Sequence, residues 1–227
     1  GSAVCTAALL QLATPPRPLG AYSLAGHSLD LGARGFRVLD SFHGAGGGGV
    51  EHPAFPGSTG AVLAIRKAHA EWGSEPRAGS GHGDGLASNA LLGGAGANFD
   101  QLFLGEARSL GGLDSNMHHA LAGGLCSGSV LAFTQIAPGG GWRSSYCDDI
   151  SWSFGPGLPA PGSVDLQAVA TRQIGFALGL STSSALGATM APVQAGDGTG
   201  ARSLSADDRA GLAAIYGVAS ATKPSIT

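Results

Sequence analysis

Glycine and proline punctuate this chain too often for long helices to run through it: 40 glycines and 12 prolines fall among its 227 residues with no fixed period. Residues that break helices at this density exclude a helical bundle. The missing period excludes collagen-like and solenoid repeats. What remains is a series of short apolar segments joined by long, shaped loops, in a chain long enough for one large domain with a real core.

Charge narrows the partners. Only 12% of the residues are charged and the formal net charge is -3, so no basic field exists to attract phosphate backbones, and nucleic acid is not expected as a partner. No apolar run reaches the roughly 18 residues that a membrane span requires. "AVCTAALLQLA" at residues 3–13 is too short and has no basic flank; it reads as the remnant of an export signal or as a first strand or helix. Cys5, Cys126 and Cys147 have no metal-binding spacing. Cys126 and Cys147 flank two strand-like segments joined by a Pro-Gly turn, so either a cross-strand disulfide or two buried thiols fits them. The Gly-rich, charge-poor composition and that possible bridge favour a secreted or extracytoplasmic location.

Periodicity places the elements. "FRVLDSF" (36–42) alternates as a half-buried strand does. "PGSTGAVLAIRKAHAEWGS" reads as a helix, capped by Ser58 or Thr59, with Ala61, Ile65, Ala68 and Trp72 on one face and Gly73 as its stop. Residues 77–96 are loop-like, and "ANFDQLFLG", "SVLAFTQI" and "WRSSYCDDISWSF" are strand candidates. "SVDLQAVATRQIGFALG" (163–179) is the clearest helix, with Ser163 as its expected cap, Asp165 near its positive end, and Leu166, Val169, Ala170, Ile174, Ala177 and Leu178 as its buried stripe. "SADDRAGLAAIYG" opens on a capping box, Ser205 with Asp208, and closes on Gly217. Strands and helices interleave around one core. The expected divisions are an N-terminal extension or first strand region over 1–35, one domain over 36–217 and a tail over 218–227.

Residues 163–217 resemble the matrixin-like metzincins, zinc endopeptidases whose helix carries H-E-x-x-H-x-x-G-x-x-H followed by a Met-turn. In "ATRQIGFALGLSTSSALGATMAP", Gly179 falls on the motif glycine and Met190 on the Met-turn methionine. "GAVLAIRKAHAEWGS", "ANFDQLFLG" and "GSVLAFTQIAPGGGW" look like the family's first helix, a central strand and the edge strand that pairs with bound peptide. The resemblance implies an α/β (α+β) catalytic-domain fold: a twisted mixed sheet with an edge strand over the cleft, about three helices and long Gly-rich loops. It makes Leu131, Ala132, Phe133 and Thr134 the candidate peptide-binding edge.

The motif's chemistry is missing. Arg172 stands at the first histidine, Gln173 at the glutamate, Phe176 at the second histidine and Thr182 at the third. A catalytic zinc takes three imidazole, thiolate or carboxylate donors and one open position. Arg172 is a permanent cation without a lone pair, and Gln173 cannot take a proton from water. Catalytic zinc is therefore not expected. None of the seven histidines forms an i, i+4 helical pair, adjacent His118 and His119 would point to opposite faces of a strand, and solvated or hydrogen-bonded surface positions are expected for them. The carboxylates of "GHGDG" (81–85) and "YCDDISW" are able to hold a structural calcium of the kind matrixins carry, or are turn aspartates with local hydrogen bonds. The expected function is a catalytically inactive matrixin-like homologue that binds an unknown protein or peptide through its retained cleft. The alternative is a repurposed non-zinc enzyme that uses Arg172 as a fixed positive charge.

Overall fold

The alternation in "FRVL" becomes strand β1 (Gly35–Leu39), whose Phe36 and Val38 are buried while Arg37 is exposed. The structure, a computed structural model, describes residues 20–30, 34–42, 52, 54–74, 76–77, 92–93, 97, 99–121, 126, 130–192 and 199–218. Among them, α1 (Gly60–Glu71) follows β1, and a small ribbon, β2 (Pro76–Arg77) with β3 (Leu92–Gly93), follows α1. Next come β4 (Leu102–Ala107), β5 (Met117–Leu121), β6 (Ala132–Ile136), β7 (Trp142–Cys147), and the short parallel pair β8 (Trp152–Ser153) and β9 (Val164–Asp165). Helix α2 (Leu166–Ala177), a 3-10 turn at Gly200–Arg202 and α3 (Ala206–Tyr216) complete the order. The segments at 3–13, 43–49 and 81–85, with Cys5, His43 and His82, lie outside the described residues.

The main sheet has the order β4-β1-β5-β7-β6; β4, β1, β5 and β7 are parallel neighbours and β6 is antiparallel to β7. This is the mixed sheet with an edge strand that the resemblance implies; the structure adds that the edge is antiparallel. Helices α1 and α2 pack on each other and on the face that carries Phe36, Val38, Trp142 and Tyr146, around one hydrophobic core. Trp72, the C-cap of α1, is 1% exposed and its indole N–H donates to the Thr171 carbonyl of α2 at 2.8 Å, so this large side chain is buried without an orphaned polar atom.

Four expectations change. The segment 142–154 is two strands, because Asp148 and Asp149 turn the chain between β7 and β8. Strand β5 at the middle of the sheet is an addition: its two histidines hid an apolar environment. Thr59 holds the N-cap position of α1 without a side-chain cap, while the Ser58 hydroxyl accepts from Arg66 at 2.6 Å. Finally, α2 is capped by Asp165, whose carboxylate accepts from the Ala168 N–H at 2.8 Å, and Ser163 lies outside the helix. Asp165 also pairs with Arg202, buried at 0%, whose guanidinium further donates to the carbonyls of Pro156 and Gly157. The capping carboxylate and the 3-10 turn thus fix each other.

Candidate functional site

Helix α2 has no solvent face along most of its length. Beside its apolar stripe, Gln167, Thr171, Arg172 and Gln173 are buried too, which a one-sided amphipathic helix would not require. The two polar residues at the motif's first positions are therefore tied into the interior.

Gln173, 5% exposed, reaches across to the edge strand. The Thr134 hydroxyl donates to its Oε1 at 2.8 Å, and its Nε2 donates to the Ala132 carbonyl at 3.4 Å. Thr134 also sits 2.8 Å from the Ser144 hydroxyl. The Cys147 N–H donates to the Leu131 carbonyl and the Ala137 N–H to the Gly141 carbonyl, so the odd-numbered residues of this hairpin bond to β7. By the alternation of an antiparallel ladder, the main-chain groups of Ala132, Thr134 and Ile136 point to the open edge. Leu131 and Phe133 are half-buried, with their side chains on the face opposite that of Thr134.

Arg172 is 9% exposed, and its guanidinium carbon stands 5.1 Å from the Phe176 ring centroid one turn along α2. Its Nη1 is buried without a hydrogen-bond partner. Burial pulls the Arg172 pKa below its ordinary value, and the Asp208 carboxylate pushes it back up. Phe176 is half-buried and Thr182 is exposed.

Below these residues the chain turns at Gly179, where φ is +101° and an added Cβ would stand 2.1 Å from the His27 carbonyl oxygen; only glycine fits. The extended segment at 20–30 lies along this turn: the Ala25 N–H donates to the Gly179 carbonyl, the Ser181 N–H to the Ser23 carbonyl, and His27 Nε2 to the Phe176 carbonyl. Met190, 1% exposed, is held from the other side. Asp208 of the α3 capping box accepts from the N–H groups of both Thr189 and Met190 as well as from Ser205.

The histidines contradict the expected surface positions. His52, His69, His118 and His119 are all buried. His69 Nδ1 lies 2.5 Å from Gln101 Oε1, His69 Nε2 lies 2.7 Å from His118 Nε2, and His118 Nδ1 lies 2.8 Å from the Tyr146 hydroxyl. Because Oε1 only accepts, one order of protons satisfies the whole chain with both rings neutral: Tyr146 donates to His118, His118 to His69, and His69 to Gln101. Burial lowers the His69 pKa to about 3, against the Gln101 hydrogen bond, and lowers His118 well below its ordinary value, aided by His69 and His119. On the sheet's other face, His119 Nδ1 donates to the Ala120 carbonyl at 3.0 Å and Nε2 accepts from the Ser145 hydroxyl at 2.7 Å. Ser145 is 2% exposed, which closes this Ser-His pair to a substrate.

Cys126 and Cys147 are joined in a disulfide, with Cα atoms 5.6 Å apart. Asp149 is their neighbour in the one group of three candidate metal donors among the described residues, and the disulfide commits both sulfurs.

The matrixin family model matches residues 107–217, from the end of β4 through α3, and so spans the edge strand, α2 and the Met190 turn. Over those residues the chain is similar to the matrixins. No curated protein matches it. In this matrixin-like domain the zinc that the family implies meets an unsuitable donor set: a cation over an aromatic ring, an amide committed to the edge strand and one exposed hydroxyl. No step of a metal-hydroxide mechanism can be assigned to these side chains.

Proposed function

We propose that this matrixin-like domain binds extended peptide or protein segments without cutting them. The observation that carries the reading is Gln173. At the position where the family motif has its general base, an amide that cannot take a proton is hydrogen-bonded to Thr134 and Ala132 of the edge strand. A peptide adding to β6 would use the outward main-chain groups of Ala132, Thr134 and Ile136, which require no metal. The 3.4 Å contact from Gln173 to the Ala132 carbonyl is long enough for a peptide N–H to replace it.

The Cys126–Cys147 disulfide supports an exported, oxidising location for this activity. Among the described residues no helix is long and apolar enough to cross a membrane. The alternative of a repurposed enzyme has the orphaned Nη1 of Arg172 in its favour, but the Ser-His pair at Ser145 and His119 lies buried on the sheet face turned away from α2.

Fluorescent extended peptides, with and without N-methylation at alternate residues, test the reading. Binding lost on N-methylation in one register, with no hydrolysis and no zinc in the dialysed protein, is the expected result. Hydrolysis that chelators abolish would overturn it, and hydrolysis that survives chelators would establish the enzymatic alternative.

A further inference from the structure

The Arg172 side chain is a buried cation with one nitrogen left over. It is 9% exposed, its Nη1 has no hydrogen-bond partner, and among the described residues no carboxylate lies within ion-pair distance of it. A guanidinium does not give up its proton in a protein, so the unpaired charge cannot be relieved by neutralisation. Asp208 is the carboxylate that acts on it electrostatically, but the oxygens of Asp208 already accept from Ser205, Thr189 and Met190. Phe176 lies against the guanidinium, its ring centroid 5.1 Å from the guanidinium carbon, and Nη1 itself is covered, so a ligand reaches it only where a neighbouring side chain moves aside.

We propose that Arg172 forms a carboxylate-binding site at the motif's former ligand positions and that it reads a carboxylate on the peptide held by β6. The peptide part rests on the function proposed above; the anion site does not. A planar fork matches a planar carboxylate through two parallel hydrogen bonds. Phosphate is a poorer fit for two reasons. Among the described residues Arg172 has no second cation placed with it on α2, and it lies in the C-terminal half of that helix, where the dipole disfavours a doubly charged anion. Arg172 and Gln173 are neighbours on α2 whose side chains diverge, Gln173 toward Ala132 and Thr134 of the edge strand and Arg172 toward Phe176, so a peptide on β6 would reach Arg172 only around that side of the helix. The carboxylate comes either from a free peptide C-terminus or from an internal Asp or Glu side chain.

Two measurements test this. Acetate is titrated into protein labelled with 15N in its arginines, and the Arg172 side-chain signal is assigned by its loss in Arg172→Gln. A saturable shift of that signal is expected, and no shift would overturn the site. In parallel, acetyl-Val-Thr-Val-Thr-Val is compared as free acid, as C-terminal amide, and as amide with a central glutamate. At least one carboxylate form should bind about tenfold more tightly than the plain amide, the equivalent of one charge-assisted contact, and that advantage should vanish in Arg172→Gln and shrink in Arg172→Lys. Tighter binding of the free acid identifies a C-terminus reader, and tighter binding of the glutamate form identifies a side-chain reader. Equal binding of all three with no acetate shift sinks the carboxylate site and leaves the edge-strand function standing. An acetate shift with no peptide bound does the reverse. Should Arg172→Gln fail to fold, Arg172→Lys carries both measurements, because it retains the charge and loses the fork.

Discussion

Gly175 lies directly against Met190: a Cβ on the glycine would stand 2.3 Å from the methionine Sδ and 2.8 Å from the Trp72 ring. The missing side chain in the middle of α2 is what lets the Met190 turn and α1 both close on that helix. A glycine inside a helix ordinarily costs about 0.5–1 kcal/mol relative to alanine, so Gly175→Ala would stabilise an isolated α2. In the folded protein it should instead destabilise by about 1–3 kcal/mol, the usual cost of overpacking. Denaturant unfolding measures this, and Met190→Ala should recover part of the loss in a double-mutant cycle. A more stable Gly175→Ala protein would mean that the helix and the turn are not in contact.

The neutral histidine chain gives the fold an acid limit. His69 has its pKa lowered from 6.5 to about 3 in the folded protein, so between those values the unfolded chain binds a proton that the folded chain refuses. Stability is fully present above about pH 6.5 and falls as the pH drops, by about 1.4 kcal/mol per pH unit for one such group. His118 shifts in the same direction. Unfolding free energies measured at pH 7.5, 6 and 5 should decline, and His69→Gln should flatten the decline. An identical slope in the variant would remove His69 as its cause.

Opening the Cys126–Cys147 bridge should loosen the edge strand before the helices. The disulfide closes a loop with a sequence separation of 21 that contains the whole β6–β7 hairpin. Loop-closure entropy puts its contribution at about 3 kcal/mol. Reduction, or Cys126→Ser, should lower stability by about that amount and raise amide exchange first in β6, whose other main-chain edge pairs with no strand among the described residues. Uniform loss of protection in α2 and β6 together would contradict this order.

How far the sequence alone leads depends on whether the partners of a residue are local. The helices α1 and α3 and the β6–β7 hairpin were legible because their signals lie within a few residues: the spacing of Ala61, Ile65, Ala68 and Trp72, the Ser205 and Asp208 capping box, and alternation on either side of Pro138 and Gly139. Strand β5 was not, because His118 and His119 are polar in the sequence and become core residues only through Tyr146, His69 and Ser145. The cap of α2 failed for a related reason. Ser163 and Asp165 are both good capping residues, and the choice falls to Asp165, whose carboxylate also meets Arg202, 37 residues away. At the candidate site the substitutions were legible in the motif, while the burial of Arg172 and the docking of Gln173 on β6 depend on contacts that no spacing encodes.

Restoring the lost donors tests the positional match to the metzincin motif. Arg172 and Phe176 are one turn apart, and the cation stands 5.1 Å over the ring, so both side chains occupy the same space beside α2. Gly179 turns the chain at φ +101° and Thr182 follows it in an exposed position, while Met190 is already held by Asp208. If the motif match holds, Arg172→His, Phe176→His and Thr182→His bring three imidazoles around one point, and the first of them removes a repulsive charge. Adding Gln173→Glu supplies the base, at the cost of the Nε2 contact to Ala132 and with a carboxylate against the Thr134 hydroxyl. Both the triple and the quadruple variant should bind one zinc per chain, measured by calorimetry and elemental analysis. The quadruple variant should show at most weak proteolysis, because the contacts that orient metal-bound imidazoles have not been rebuilt. The triple variant, which keeps the Gln173 amide on the edge strand, guards against a fold lost through the glutamate. If either variant folds and takes up no zinc, the alignment of Arg172, Phe176 and Thr182 with the three histidines is wrong.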